Sequence, residues 1–92
     1  RDSAPWVRVA AADALRRLGH PEAGLPVLIA ALRDSNPWVR LQAIEVLDHL
    51  DQAAAPARDA LRAALDDSNE YVVRVARTAL VDLDEKSTTP RP

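Results

Sequence analysis

The sequence predicts an all-α fold: a short right-handed α-solenoid of antiparallel helix pairs, with five helices forming about two and a half repeats. One observation is a recurring string: Asp2-Ser3-Ala4-Pro5-Trp6-Val7-Arg8, then Asp34-Ser35-Asn36-Pro37-Trp38-Val39-Arg40, then Asp67-Ser68-Asn69-Glu70-Tyr71-Val72-Val73, at offsets of 32 and 33 residues. A fixed period of this size marks stacked units, none of which buries its apolar face alone. A second is the apolar spacing i, i+3, i+4, i+7, i+8, i+11 behind each string, which is one face of an α-helix. The third is composition: 18 of the 92 residues are Ala, and Phe, Met and Cys are absent, which favours close helix contact over bulky interdigitation.

Each A helix, the first of a pair, opens at its string. The first stripe reads Val7, Ala10, Ala11, Ala14, Leu15 and Leu18. The second reads Val39, Gln42, Ala43, Val46, Leu47 and Leu50, interrupted by Gln42, and the third Val72, Val75, Ala76, Ala79, Leu80 and Leu83. Pro5 and Pro37 suit a first helical turn, where a missing N–H is harmless, and Asn36 and Asn69 stand as N-caps. The B helices are expected over 22–33 and 56–66, because Leu28, Ala31 and Leu32 match Leu61, Ala64 and Leu65 at an offset of 33. Gly19-His20-Pro21 breaks the chain before the first B helix, and residues 51–55 form a looser connection before the second. The repeat domain is therefore expected over 1–84, with repeats at 2–33 and 34–66 and a partial one at 67–84. Residues 85–92, with Ser87-Thr88-Thr89-Pro90 and no apolar period, read as a flexible tail.

Composition removes several function classes. A chain of 92 residues makes one domain at most. The formal charge of −2 and the lack of a basic block argue against a nucleic-acid partner, which needs clustered cations. Charged residues interrupt every apolar stretch before it reaches the roughly 18–20 residues of a membrane span. Without Cys there is no disulfide and no thiolate ligand. Gly19 and Gly24 are the only glycines, too few for a phosphate loop, and no Ser sits with a His and an acid in a recognisable constellation. No catalytic residue, cofactor or metal ligand is expected. The start at Arg1, without Met or a signal-type segment, leads us to expect a piece of a larger polypeptide.

The recurring Asp, Val-Arg and Ala-Leu positions of the A helices resemble a HEAT-like repeat, in the short bacterial form associated with phycobilisome lyases. The resemblance covers residues 2–84. The strings at Pro5, Pro37 and Asn69 are also similar to HEAT-like repeats that follow the catalytic domain of some bacterial secreted sulfatases. The resemblance implies a non-catalytic docking or scaffold module, a segment of a larger bacterial protein. As alternatives it implies the C-terminal accessory region of a sulfatase whose active site lies outside this chain, or a tetrapyrrole- or small-ligand-binding module of the lyase type. The His-Glu iron ligands of hypusine-forming hydroxylases, which share such repeats, are missing, since His20 precedes Pro21 and His49 precedes Leu50. A preponderance of Arg, 11 against the lone Lys86, points to a GC-rich bacterial source. The compartment follows the parent: periplasmic or secreted for a sulfatase, cytoplasmic otherwise. In the third repeat Val73 takes the place of Arg8 and Arg40, with Arg74 displaced by one, and Ala4 replaces the cap Asn of the other two.

Several residues are candidates for an interaction surface. Trp6, Trp38 and Tyr71 form one ladder in the first turns of the A helices, either exposed for docking or packed over the turns between repeats. Val27 and Ile29 lie on a B helix that has no polar face, which calls for a covering partner. Arg58 and Arg62, at i and i+4, offer a grip for an anion or simply a solvated mixed-charge face. Asp2 with Arg8, Asp34 with Arg40, and Asp67 are read as structural, each turn carboxylate bridging to the next helix and stitching the repeats together. The expected partner is a protein or a neighbouring domain of the same polypeptide, with a homodimer through the apolar B helix or a terminal helix as a further arrangement.

Overall fold

A computed structural model describes residues 4–88, with side chains through Glu85. The elements in order are α1 (Pro5–Arg17), α2 (Leu25–Ala31), α3 (Pro37–His49), α4 (Arg58–Ala63) and α5 (Glu70–Thr88). Short 3-10 segments at Pro21–Gly24 and Asp51–Ala57 lead into α2 and α4, and another at Ala64–Asp66 follows α4. No strand occurs among the described residues. The helices α1, α3 and α5 pack side by side as one layer; α2 lies against α1 and α3, and α4 against α5, as the second layer. This is the expected helical solenoid.

The local signals act as their chemistry requires. Asn36 Oδ1 accepts from the Trp38 N–H at 2.9 Å, and Asn69 Oδ1 from the Tyr71 and Val72 N–H groups at 2.9 and 3.2 Å. Ala4 caps α1 without any side-chain bond. Gly19, at φ +92°, turns the chain out of α1 through a left-handed conformation that Gly adopts freely. Asp51 holds the equivalent place after α3 at φ +55°. Gly24 brings the second layer onto α1: a Cβ there would stand 2.6 Å from the Ala12 Cβ.

Three helices differ from their expected bounds. The B helices are shorter and are entered through 3-10 turns, because Pro21, Pro26 and Pro56 each remove a backbone donor near their starts. Helix α5 runs to Thr88, past the expected end at 84, since Glu85 and Lys86 are good helix formers and the chain is restrained only ahead of Pro90. Residues 89–92 of the expected tail, and Asp2, lie outside the described residues.

The core is one cluster whose largest fully buried side chains are Val9, Leu28, Ile44, Leu47, Leu61 and Val72. In α3 the expected stripe is buried at Val39, Ala43, Val46, Leu47 and Leu50, with Gln42 facing water and Ile44 an unexpected member. In α5 Val72, Ala76, Ala79 and Leu83 are buried, and Val75 and Leu80 half-buried. The expected stripe of α1 is corrected: Val9 and Ala12 are buried, Leu15 is half-buried, and Val7, Ala10, Ala11, Ala14 and Leu18 are exposed. The reason is position in the stack. Helix α3 has an A helix on both flanks, whereas α1 meets one only.

Candidate docking surface

The aromatic ladder is an exposed apolar feature of the A layer. Trp6, Trp38 and Tyr71 are 58%, 68% and 53% exposed. Each sits in the first turn of its helix, one residue before the position where Val39 and Val72 enter the core, so the three residues occupy equivalent points of successive A helices. Helices in contact lie about 8–10 Å apart, which spreads the row over roughly 20 Å. The Arg74 guanidinium carbon lies 5.5 Å from the Tyr71 ring centroid, a cation–π contact. Arg74 therefore braces the ladder at the repeat where Val73 has taken the usual arginine position.

The charges at the turns are structural, but not in the expected pairing. The Asp34 carboxylate accepts from the Asn36 N–H at 2.8 Å, and the Asp67 carboxylate from the Asn69 N–H at 2.8 Å, each closing its own turn. Arg40 donates to the Asp34 carbonyl oxygen at 2.7 Å, not to its carboxylate. Its guanidinium instead grips Asp67 of the next repeat through Nε at 2.8 Å and Nη2 at 2.9 Å. A bidentate pair of this kind is stronger than neutral hydrogen bonds and fixes orientation. Burial pushes the Asp67 carboxyl up; the Arg40 hydrogen bonds, the Asn69 N–H and the Arg40 charge outweigh it and leave Asp67 below the usual carboxylate range. Asp13 is also lowered: burial raises it, and Arg16 and Arg17, at 2.8 and 2.9 Å, together with the charge of His49, bring it down. Arg8 is exposed, and its expected partner Asp2 lies outside the described residues.

The B layer is less open than its sequence implies. Val27 and Ile29 are half-buried and pack against the core, leaving Pro26 and Ala30 exposed. Ile29 and Ala30 border an open groove of about 680 Å³ between α2 and α4, where Arg33, Asp59 and Asp67 supply the charge. Arg58 and Arg62 do not converge on a common point. Arg58 forms an ion pair with Asp84 of α5, while Arg62 stays on its own helix, 3.6 Å from Asp59. His20 and His49 are exposed, and no group of three or more potential metal ligands occurs among the described residues. No helix of the described residues is long and apolar enough to cross a membrane.

The comparisons agree with this architecture. A family model described as HEAT repeats matches residues 1–81. Neither the curated proteins nor the solved structures contain a match. HEAT repeats generally mediate protein–protein contacts. The repeated strings, the two helical layers and this match over most of its length together show that the chain belongs to the HEAT repeat family.

Proposed function

We propose that the chain is a non-catalytic docking module that holds a protein partner, or a neighbouring domain of its own polypeptide, along the Trp6–Trp38–Tyr71 row. The single observation behind this reading is that all of the chain's aromatic residues occupy one repeat position and are more than half exposed. Trp and Tyr are enriched among the residues that dominate binding energy at interfaces. The turns beneath are tied by Asn caps and by Arg40, so the rings start from a pre-ordered backbone, which lowers the entropic cost of binding. The narrower readings, a sulfatase accessory region and a tetrapyrrole-binding module, draw on resemblance alone. For the latter, the cation of the α2–α4 groove is Arg33, beside Asp59 and the Arg40-paired Asp67, which leaves no cluster of cations for a ligand bearing carboxylates.

The test is selection from a displayed random-peptide library against the 92-residue chain. Selected peptides should lose about 30-fold in affinity on Trp38→Ala, the cost of one hot spot of about 2 kcal/mol, while the melting midpoint stays within about 2 °C. Peptides that bind Trp38→Ala undiminished, or a variant that loses its fold, would reject the row as a docking edge. So would quenching of the Trp fluorescence by saccharides in the absence of any peptide binding.

A further inference from the structure

Overlaid at the offsets of 32 and 33, the three A helices sort their positions into two stripes. Val7, Ala11, Ala14 and Leu18 are exposed in α1, whereas the counterparts Val39, Ala43, Val46 and Leu50 in α3 and Val72, Ala76, Ala79 and Leu83 in α5 are all buried. The second stripe begins two residues earlier. Pro5, Val9, Ala12 and Arg16 in α1, and Pro37, Leu41, Ile44 and Asp48 in α3, are buried or half-buried, but Glu70, Arg74, Arg77 and Val81 in α5 are exposed. Both stripes run i, i+4, i+7, i+11, and a two-residue shift at about 100° per residue sets them about 200° apart, on opposite flanks of the helix. Helices α1 and α5 each have an A-helix neighbour on the α3 side alone. The first stripe therefore faces the preceding pair and the second the following pair.

The two ends differ in chemistry. On α5 the outer stripe carries Glu70, Arg74 and Arg77, where α3 has Pro37, Leu41 and Ile44, and its one apolar member is Val81, where α3 has Asp48. The last B helix follows suit, with Arg58 and Arg62 where α2 has Leu25 and Ile29. Apart from Val81, that end presents charge to water. On α1 the outer stripe is Val, Ala, Ala and Leu, with Leu18 73% exposed.

We propose that this flank of α1 is an inter-repeat interface whose occupant is a further HEAT-type helix pair stacked ahead of α1. The contact is the one through which α3 meets α1 and α5 meets α3, continued by one step. In the recurring string Asp2 holds the place of Asp67, the carboxylate that Arg40 of the preceding pair grips, so the occupant carries an arginine at the Arg40 position. A second copy stacked head to tail is a poor fit, because it presses Arg74 and Arg77 onto Val7, Ala11, Ala14 and Leu18, strips their water, and sets Val73 where Arg40 grips the turn carboxylate. This inference does not depend on the aromatic row.

Prefixing the full chain with a second copy of its own residues 2–32 supplies such a pair, because Arg1 then follows Leu32 and precedes Asp2 as Arg33 does at the natural junction with Asp34. One cooperative transition is expected, with its midpoint raised by about 5–15 °C over the unprefixed chain. Leu18→Asp shifts the unprefixed chain by less than about 2 °C, because the side chain already meets water, and abolishes the rise in the prefixed chain. Leu50→Asp, at the buried counterpart, disrupts both and shows that the assay responds. A prefix that melts separately with the main midpoint unmoved, or a rise that survives Leu18→Asp, overturns the assignment. A dimer of the unprefixed chain at about 100 µM that Leu18→Asp dissociates overturns it as well, by placing a second copy on that flank.

Discussion

Replacing Arg40 with Ala tests whether the repeats are tied by a directed ion pair or by apolar stacking alone. The substitution removes two charge-assisted bonds to Asp67 and one to the Asp34 carbonyl, at 2.8, 2.9 and 2.7 Å. The side chains of Arg40 and Asp67 are 13% and 10% exposed, so water reaches the orphaned carboxylate only in part. Asp67 retains the Asn69 N–H. Loss of one partner of a fully buried pair costs about 3–5 kcal/mol, and partial access to water lowers this to about 2–3 kcal/mol. For a domain of this size each kcal/mol moves the midpoint by about 4–8 °C, which gives a drop of roughly 8–24 °C in thermal unfolding followed by circular dichroism. Arg40→Lys keeps the charge but not the planar fork and should lose about half as much. A double-mutant cycle with Asp67→Asn should return a coupling of about 1–2 kcal/mol. An Arg40→Ala midpoint within about 3 °C of the parent, or a coupling near zero, would refute the reasoning and leave the pair a passenger on the packing.

Ala4→Asn supplies the cap that α1 lacks while α3 and α5 have one, and should raise the midpoint by about 2–8 °C, corresponding to about 0.5–1 kcal/mol. Gly24→Ala forces a Cβ to 2.6 Å from Ala12 and should cost about 1–3 kcal/mol by denaturant unfolding, with Ala12→Gly in the same chain recovering part of it. Asp67 and Asp13 are both lowered in the folded chain, so their contribution is complete above the unfolded carboxylate value of about 4 and is lost as the pH falls through their folded values. Melting midpoints should therefore be flat from about pH 5 upward and decline below about pH 4, and the gap between the parent and Arg40→Ala should close in that acidic range.

The repeat was legible because its punctuation is chemical. An Asn followed by Pro-Trp or Glu-Tyr marks the start of α3 and α5, and both caps form as those residues allow. The stripe of α3 could be read because that helix has neighbours on both flanks, the condition a periodic pattern assumes. The stripe of α1 misled for the same reason: Val7 and Leu18 carry the pattern of a covered helix and lack the cover. The apolar run of α2 looked like a docking face, yet Leu25 and Leu32 are buried and Ile29 half-buried, with the following 3-10 segment against the helix. Nearness in sequence pointed Arg40 toward Asp34, six residues away, whereas its carboxylate lies 27 residues on; the recurrence of Asp at each string was the available signal. The polar end was legible too, in the exchange of Leu41 and Ile44 for Arg74 and Arg77, but only when the repeats are compared position by position.

The unequal spacing of the repeats has a practical meaning. Gly19 and Asp51 turn the chain at matching places, as do Gly24 and Ala57 when α2 and α4 open, yet the second interval is one residue longer than the first. The additional residue is absorbed within Asp51–Ala57, and both layers keep their register on either side of it. The connection between the members of a pair thus comes in two lengths, and the longer one keeps Ala54 and Ala57 in the core. The exposed step from Ala55 to Pro56 is accordingly where a tag or a fluorescent reporter can be threaded in without disturbing either layer.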